Sequence, residues 1–289
     1  MTDLQKHRGR VVLHKTGALA NGAMKLVACL FFAFPFYWMF VTSFKTNNEA
    51  IQFPPTLWPE NFSIKAYVSV FEQLDFGQYL SNSLIIIISI AVLQMLVMVP
   101  AAYAFARLKF RGSGWMFSLV LVAFMVPVQI TFISVYLLFA GNTVFGKPIL
   151  QTLLPQIIPF GANAFGIFLL RQNFMQVPEE LLESARLDSA NERKIITHIM
   201  LPMAKATIIT IALFSLISHW NSYFWPLVMT SAEYVKPLTL ALEKLKDVEY
   251  GISWPVLMAG NAILVFPVLV AFLAASKKII QAMAYKGMK

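Results

Sequence analysis

The chain has 289 residues, 58% hydrophobic and 13% charged, with a mean hydropathy of +0.67, which excludes an ordinary soluble domain and points to lipid bilayer as the solvent. The net charge of +9 does not indicate nucleic acid, because the Lys and Arg residues lie between hydrophobic blocks and form no basic face with interleaved aromatics. The single cysteine, Cys29, allows no intramolecular disulfide and reads as a small packed residue in an apolar block.

Six blocks of membrane-spanning length follow one another at about 24–43, 80–106, 115–139, 150–170, 204–229 and 255–276. The first follows the basic residues Lys6, Arg8, Arg10 and Lys15. It is read as an uncleaved signal anchor, because it has full span length and lacks a small-residue cleavage site; a cleaved signal is the alternative. Residues 44–79 form a turn-rich outside segment marked by Phe53, Pro54, Pro55, Trp58 and Pro59. The fourth block is interrupted by Pro155, Pro159, Gly161, Asn163 and Gly166. Such breaks survive in a membrane where protein or a wet cavity satisfies the freed backbone, so the block is read as buried in the bundle, with an ordinary kinked helix as the alternative.

An even number of spans puts both termini on one side, and charge gives the orientation. All but six of the 23 Lys and Arg fall on the side of the termini, the exceptions being Lys45, Lys65, Lys147, Lys236, Lys244 and Lys246. Basic residues are retained in the cytoplasm, so that side is predicted to be cytoplasmic. The organisation expected is a cytoplasmic segment 1–23, a six-span domain 24–276 with a cytoplasmic loop at 173–203, and a cytoplasmic tail 277–289.

That loop is unlike the others. Pro178 suits a first helical turn, and Glu179, Glu180 and Glu183 crowd the end where the helix dipole favours anions. Leu181, Leu182, Ala185 and Leu187 supply apolar positions. Residues Asp188 to Asn191 break this helix and cap a second one beginning near Asn191 or Glu192, which reaches a kink or a new helix start at Pro202. A short amphipathic helical pair of this kind is a docking element, for lipid headgroups or for a soluble protein.

Glu183-Ser184-Ala185, then Ser189, then Ile199-Met200-Leu201-Pro202 resembles the EAA motif, E-A-A-x3-G-x9-I-x-L-P, of bacterial ABC import permeases. The spacing is kept throughout, with Ser184 in place of the middle Ala and Ser189 in place of Gly. Ser189 removes the residue that most easily adopts positive φ. Further runs, PFYWMFVTSFK at 35–45, AAYAFARLKF at 101–110, LLRQ at 169–172 and WNSYFWP at 220–226, are similar to carbohydrate-import permeases of the smaller, maltose-type subunit.

This resemblance implies an all-α integral membrane fold of the type I importer class, with six transmembrane helices and a coupling helix in the cytoplasmic loop. It implies a heterodimer with a second permease, two ATPase subunits that hold ATP and Mg²⁺, and an extracytoplasmic solute-binding protein. The position-by-position carry-over gives Glu183, Ser184, Ala185, Asp188, Ser189, Ile199, Leu201 and Pro202 as the ATPase-docking set. The tail Tyr285–Lys289 would reach the ATPase, with a frayed basic terminus as the alternative, and the outside loop 230–254 would touch the binding protein, with a solvated connector as the alternative.

Polar and aromatic groups at membrane depth are the candidates for a substrate pathway: Gln129, Asn163, Trp220, Asn221, Ser222, Tyr223 and Trp225, with Gln94 also considered. Hydrogen bonding between helices is the alternative for each. His198 and His219 are too isolated for a metal site, no nucleophile arrangement indicates an enzyme, and no P-loop is present. The competing functional class is an ion-coupled secondary carrier, which would lack its usual intramembrane carboxylate here.

Overall fold

The structure, a computed structural model, describes residues 3–246 and 252–286, with side chains at 21–246 and 252–276. In chain order its helices are α1 (Asp3–Ser43), α2 (Asn47–Ile51), α3 (Lys65–Gln73), α4 (Phe76–Arg107), α5 (Ser113–Met125), α6 (Val128–Ala140), α7 (Leu154–Ile157), α8 (Ala164–Phe174), α9 (Glu179–Leu187), α10 (Glu192–Ile195), α11 (Leu201–Met203), α12 (Lys205–Trp220), α13 (Phe224–Met229), α14 (Leu238–Ala241) and α15 (Trp254–Lys286). A two-stranded antiparallel hairpin, β1 (Thr143–Val144) and β2 (Lys147–Pro148), follows α6.

A long apolar run satisfies its backbone within a helix, the form that lipid demands. Among the described residues three helices are long and apolar enough to cross a membrane: Asn21–Ser43 of α1, all of α4, and Trp254–Ser276 of α15. The number rises to five if each of two sharply bent helix pairs is one span. The third block is such a pair, α5 and α6, which meet at 95°. Pro127 offers no N–H and drives the preceding Val126 into an extended conformation (φ −77°, ψ 117°), which ends α5 there. The fifth block enters through Glu192–Met203, bent by 78° from α12, and continues after a break at 221–223 as α13. The fourth block holds no helix of spanning length; two single-turn 3₁₀ segments, α7 and the 11-residue α8 replace it.

By internal contacts the chain divides into two units, Met1–Gln73 with Leu245–Ile263, and Leu74–Lys244 with Leu264–Lys289. In the first, the segment after α1 is organised by the buried Glu49. Its carboxylate accepts hydrogen bonds from Thr56 Oγ1 at 3.1 Å and from the backbone N–H groups of Glu60 at 2.8 Å and Asn61 at 3.5 Å. Phe44 stacks on Phe62 at 4.8 Å. The turn-rich outside segment is therefore ordered around a carboxylate that composition alone does not single out.

The second unit is built on α4. Tyr79, Asn82, Ser83, Ile86, Ile90, Gln94, Met98 and Ala102 recur at three- and four-residue intervals and are buried together, one face of a helix. α8 lies against that face through Gly166, where a Cβ would fall 2.1 Å from Met98 Sδ. At the other end of α4, Tyr79 donates to Glu233 Oε1 at 2.8 Å, Asn82 Nδ2 donates to the carbonyls of Tyr234 and Lys236, and Ser83 Oγ accepts from Leu238 N at 2.8 Å. Glu233 also pairs with Lys236 at 2.6 Å and Lys244 at 2.7 Å. The part of the 230–254 loop at 247–251 lies outside the described residues, as does Gly287 to Lys289 of the tail.

Burial works against ionising Glu233, but hydrogen bonds from Lys236, Lys244 and Tyr79 outweigh it and bring its pKa from 4.5 down to about 2. A depressed carboxylate stabilises the folded state above its unfolded pKa, and that contribution is lost as pH falls from 4.5 towards 2. The thermal unfolding midpoint in detergent is expected to fall across this window, and Glu233→Gln to lower the midpoint at neutral pH while flattening the fall. A Glu233→Gln protein with an unaltered pH profile would show that the Glu233 carboxylate contributes nothing.

Candidate functional site

Besides the clusters around Glu49 and Glu233, polar chemistry gathers in the loop from Phe174 to Lys205 and in a cavity between α4, α5, α8 and α12.

The loop is rooted at the end of α4. Arg107, whose side chain is only 10% exposed, donates to Phe174 O from Nε at 3.2 Å and from Nη2 at 2.7 Å, to Val177 O, and to Glu179 Oε2 at 2.6 Å. A planar guanidinium suits such a divided load, with several donors fixed in one fork. Glu179 also lies 3.6 Å from Arg186, and Arg186 lies 3.4 Å from Glu192, which accepts from Tyr103 Oη. Tyr103 and Arg107 are one helical turn apart on α4. Arg171 braces the same region, donating to Phe105 O at 3.1 Å with its guanidinium 4.1 Å above the Phe117 ring.

Within the loop, Pro178 precedes α9 as its cap and the side chain of Asn191 caps α10, accepting from Lys194 N at 2.9 Å. Between them Ser189 has φ +58°. Ser189 N donates to Arg186 O at 3.0 Å and Ala190 N to Ala185 O at 2.9 Å. This is the paired closure in which the residue after the cap takes the left-handed conformation, ordinarily a glycine position. The serine keeps the geometry that glycine would take most easily.

α9 has two faces. Leu182 is fully buried in a cluster with Tyr103, Leu170, Phe174 and Ile195, and Ala185 packs against that cluster. Glu183, Ser184 and Asp188 are exposed, together with Leu181 and Leu187, the latter 85% exposed. The four apolar positions of α9 thus split, two inward and two outward. Ile199 and Leu201 are half-buried against the same cluster and Pro202 is exposed.

The pathway candidates scatter. Gln129 lies exposed at the start of α6, and Asn221 and Tyr223 are exposed at the α12–α13 break. Trp220 and Trp225 are buried, their indole N–H groups donating to Leu264 O at 2.8 Å and Pro155 O at 2.9 Å. Ser222 and Trp225 line a small cavity of about 10 Å³. Asn163 instead borders an open cavity of about 410 Å³ together with Gln94, His219, Phe124, Phe160 and Phe165. Asn163 Oδ1 caps α8 by accepting from Gly166 N at 2.9 Å, and Gln94 Nε2 donates to Phe160 O at 3.0 Å. The Phe160 and His219 rings are 4.6 Å apart.

Sequence reasoning missed Arg107, Glu179, Arg186, Glu192 and Tyr103 as a unit, and set His219 aside as a lone histidine. The available signal was an Arg at the last turn of an apolar helix with a Tyr four residues before it.

Two substitutions probe this construction. Arg107→Ala takes the guanidinium from Val177 O and leaves Phe174 O only the N–H of Val177, and is expected to cost about 3 kcal/mol, read as a lower thermal midpoint and faster protease cleavage between 174 and 192. Ser189→Gly relieves the positive φ and is expected to stabilise by roughly 0.5–1 kcal/mol, read as slower amide exchange at residues 189 and 190.

Similarity to known proteins extends over most of the chain. A family model described as the binding-protein-dependent transport system inner membrane component matches residues 98–276. The diacetylchitobiose uptake system permease protein DasC of Streptomyces coelicolor is 26% identical, covering 89% of this chain and 91% of that protein. The sn-glycerol-3-phosphate transport system permease protein UgpE of Brucella suis is 25% identical over 84% of this chain and 87% of its own length. A crystal structure of a bacterial ABC transporter involved in the import of the acidic polysaccharide alginate contains a chain of the same fold, with a TM-score of 0.80 at 24% identity, covering 91% of this chain and 96% of that one. The chain belongs to the inner-membrane components of binding-protein-dependent transport systems: it is a multi-pass ABC importer permease and not itself an ATPase.

Proposed function

We propose that this chain is one permease half of an ATP-driven carbohydrate importer, and that α9 is where a cytoplasmic ATPase takes hold of it. The observation that carries the reading is the construction of α9, fixed from within by Leu182 and Arg107 while Glu183, Ser184 and Leu187 stand outward on a single short helix, with Asp188 exposed at its end. A helix that must transmit force needs this division between an anchored face and a free one. Glu183 supplies a charge for a basic group of the ATPase, and Leu187 supplies apolar contact. Ala185 packs against this chain's own core, so its small size matters there.

The lysine and arginine bias supports a cytoplasmic placement of α9, both termini and the tail. The partners follow from the same reading: a second permease forming a heterodimer, two ATPase subunits carrying ATP and Mg²⁺, and an extracytoplasmic binding protein on the opposite face. Closure of the ATPases shifts the population between two orientations of the pathway, which requires the nucleotide to favour one of them by a few kcal/mol. The names of the relatives support a polyhydroxylated substrate, and the family match does not favour the ion-coupled carrier.

Replacing Glu183 with Lys is expected to reduce ATP-driven uptake at least tenfold, with the same amount of permease in the membrane and with ATPase activity no longer raised by loaded binding protein. Uptake that persisted in Glu183→Lys, or that ran on an ion gradient without ATP, would overturn the assignment.

A further inference from the structure

The cavity beside α4 bears on the identity of the substrate, an identification that rests on the importer function proposed for the chain. Its volume of about 410 Å³ falls within the usual range for small-molecule sites, roughly 300–1,000 Å³. Its walls come from four elements of one unit: Gln94 on α4, Phe124 on α5, Phe160 and Asn163 from the broken fourth segment, and His219 on α12.

The polar groups on this wall are held in place but not used up. Gln94 is anchored through Nε2 to Phe160 O and Asn163 through Oδ1 to Gly166 N. Fixing one end of each amide leaves the Gln94 carbonyl oxygen as an acceptor and the Asn163 NH₂ as a donor. A neutral His219 adds one donor and one acceptor. Phe160, and Phe124 stacked on Phe165 at 5.5 Å, offer flat apolar faces. Together these make amide and imidazole groups for hydroxyls and aromatic faces for the C–H side of a ring.

The charges are equally informative. Among the described residues no Asp, Glu, Lys or Arg lines the cavity. A phosphate or uronate placed there would lose its hydration without meeting a cation, a cost of several kcal/mol per ion. A neutral hydroxylated ring carries no such penalty. We infer that this cavity is a binding subsite for an uncharged, hydroxylated end of the transported saccharide, unlike the phosphate or uronate groups of the glycerol phosphate and alginate named for two relatives.

The test uses the assembled transporter in proteoliposomes. Cys29→Ser combined with Ala162→Cys places one thiol at the cavity wall, because Cys29 is the only cysteine and Ala162 is an exposed residue of the lining. Uptake is first measured with glucose, maltose, N,N′-diacetylchitobiose, sn-glycerol 3-phosphate and oligoalginate. The expected result is ATP-dependent uptake of at least one neutral probe, with that probe slowing maleimide labelling of the thiol several-fold, and loss of this protection in Gln94→Leu. ATP-dependent uptake of a neutral probe without protection, or uptake confined to the anionic probes, overturns the subsite. Uptake that needs no ATP instead overturns the importer function on which the subsite rests.

Discussion

The guanidinium of Arg107 fixes where the rest of the loop can be. It sits at the last turn of α4, where the helix dipole favours a cation, and is almost wholly removed from solvent. In that position it must be surrounded by acceptors, and Phe174 O, Val177 O and Glu179 provide them. The end of α8, the turn after it and the start of α9 are thereby held to one point. Glu179, Arg186 and Glu192 then lead back to Tyr103, one turn earlier on α4. The exposed ion pairs of this circuit add little by themselves, since screened surface pairs contribute about 0–1 kcal/mol. The buried acceptors and the apolar root at Leu182 carry the energy, and the ion pairs set the angle.

α4 therefore links three stations along one buried face. Tyr79, Asn82 and Ser83 hold the 233–238 stretch, Gln94 borders the cavity, and Tyr103 with Arg107 holds the loop. At 1.5 Å per residue, Gln94 and Arg107 are about 20 Å apart along the axis. A stiff helix carries a tilt from the first station to the second without any chain of small side-chain movements. Pro100 interrupts this shaft between the cavity and the loop. Its missing N–H removes one rung, so bending is easiest there.

What could be read from the sequence was what depends on near neighbours in the chain. The caps at Pro178 and Asn191, the turn at Ser189 and the three long apolar helices all follow from local spacing. The sharp angle at Pro127 did not, because proline reports a break but not the direction the chain takes after it. Nor could the division of α9 be seen, since Leu181 and Leu182 are equally apolar and only packing against Tyr103, Phe174 and Ile195 distinguishes them. Trp220 and Trp225 read as pathway candidates because an indole suits either role, and their indole N–H groups bond carbonyls 44 and 70 residues away. Gln94 and His219 meet only when α4 and α12 pack.

The broken fourth segment ties these observations together. Backbone freed by Pro155, Pro159 and Gly161 needs partners in an environment with little water. It finds them in side chains from other helices, with Trp225 Nε1 bonding to Pro155 O and Gln94 Nε2 to Phe160 O. Polar residues at membrane depth are thus recruited first to make the break tolerable. Because α8 begins only at Ala164, residues 161–163 leave the helical path, and Ala162 and Asn163 join Phe160 in the cavity wall. A continuous helix through this segment would direct its carbonyls along its own axis and leave Gln94 without its anchor. The interruption that weakens the hydropathy signal is therefore what creates the cavity and holds its polar groups in place.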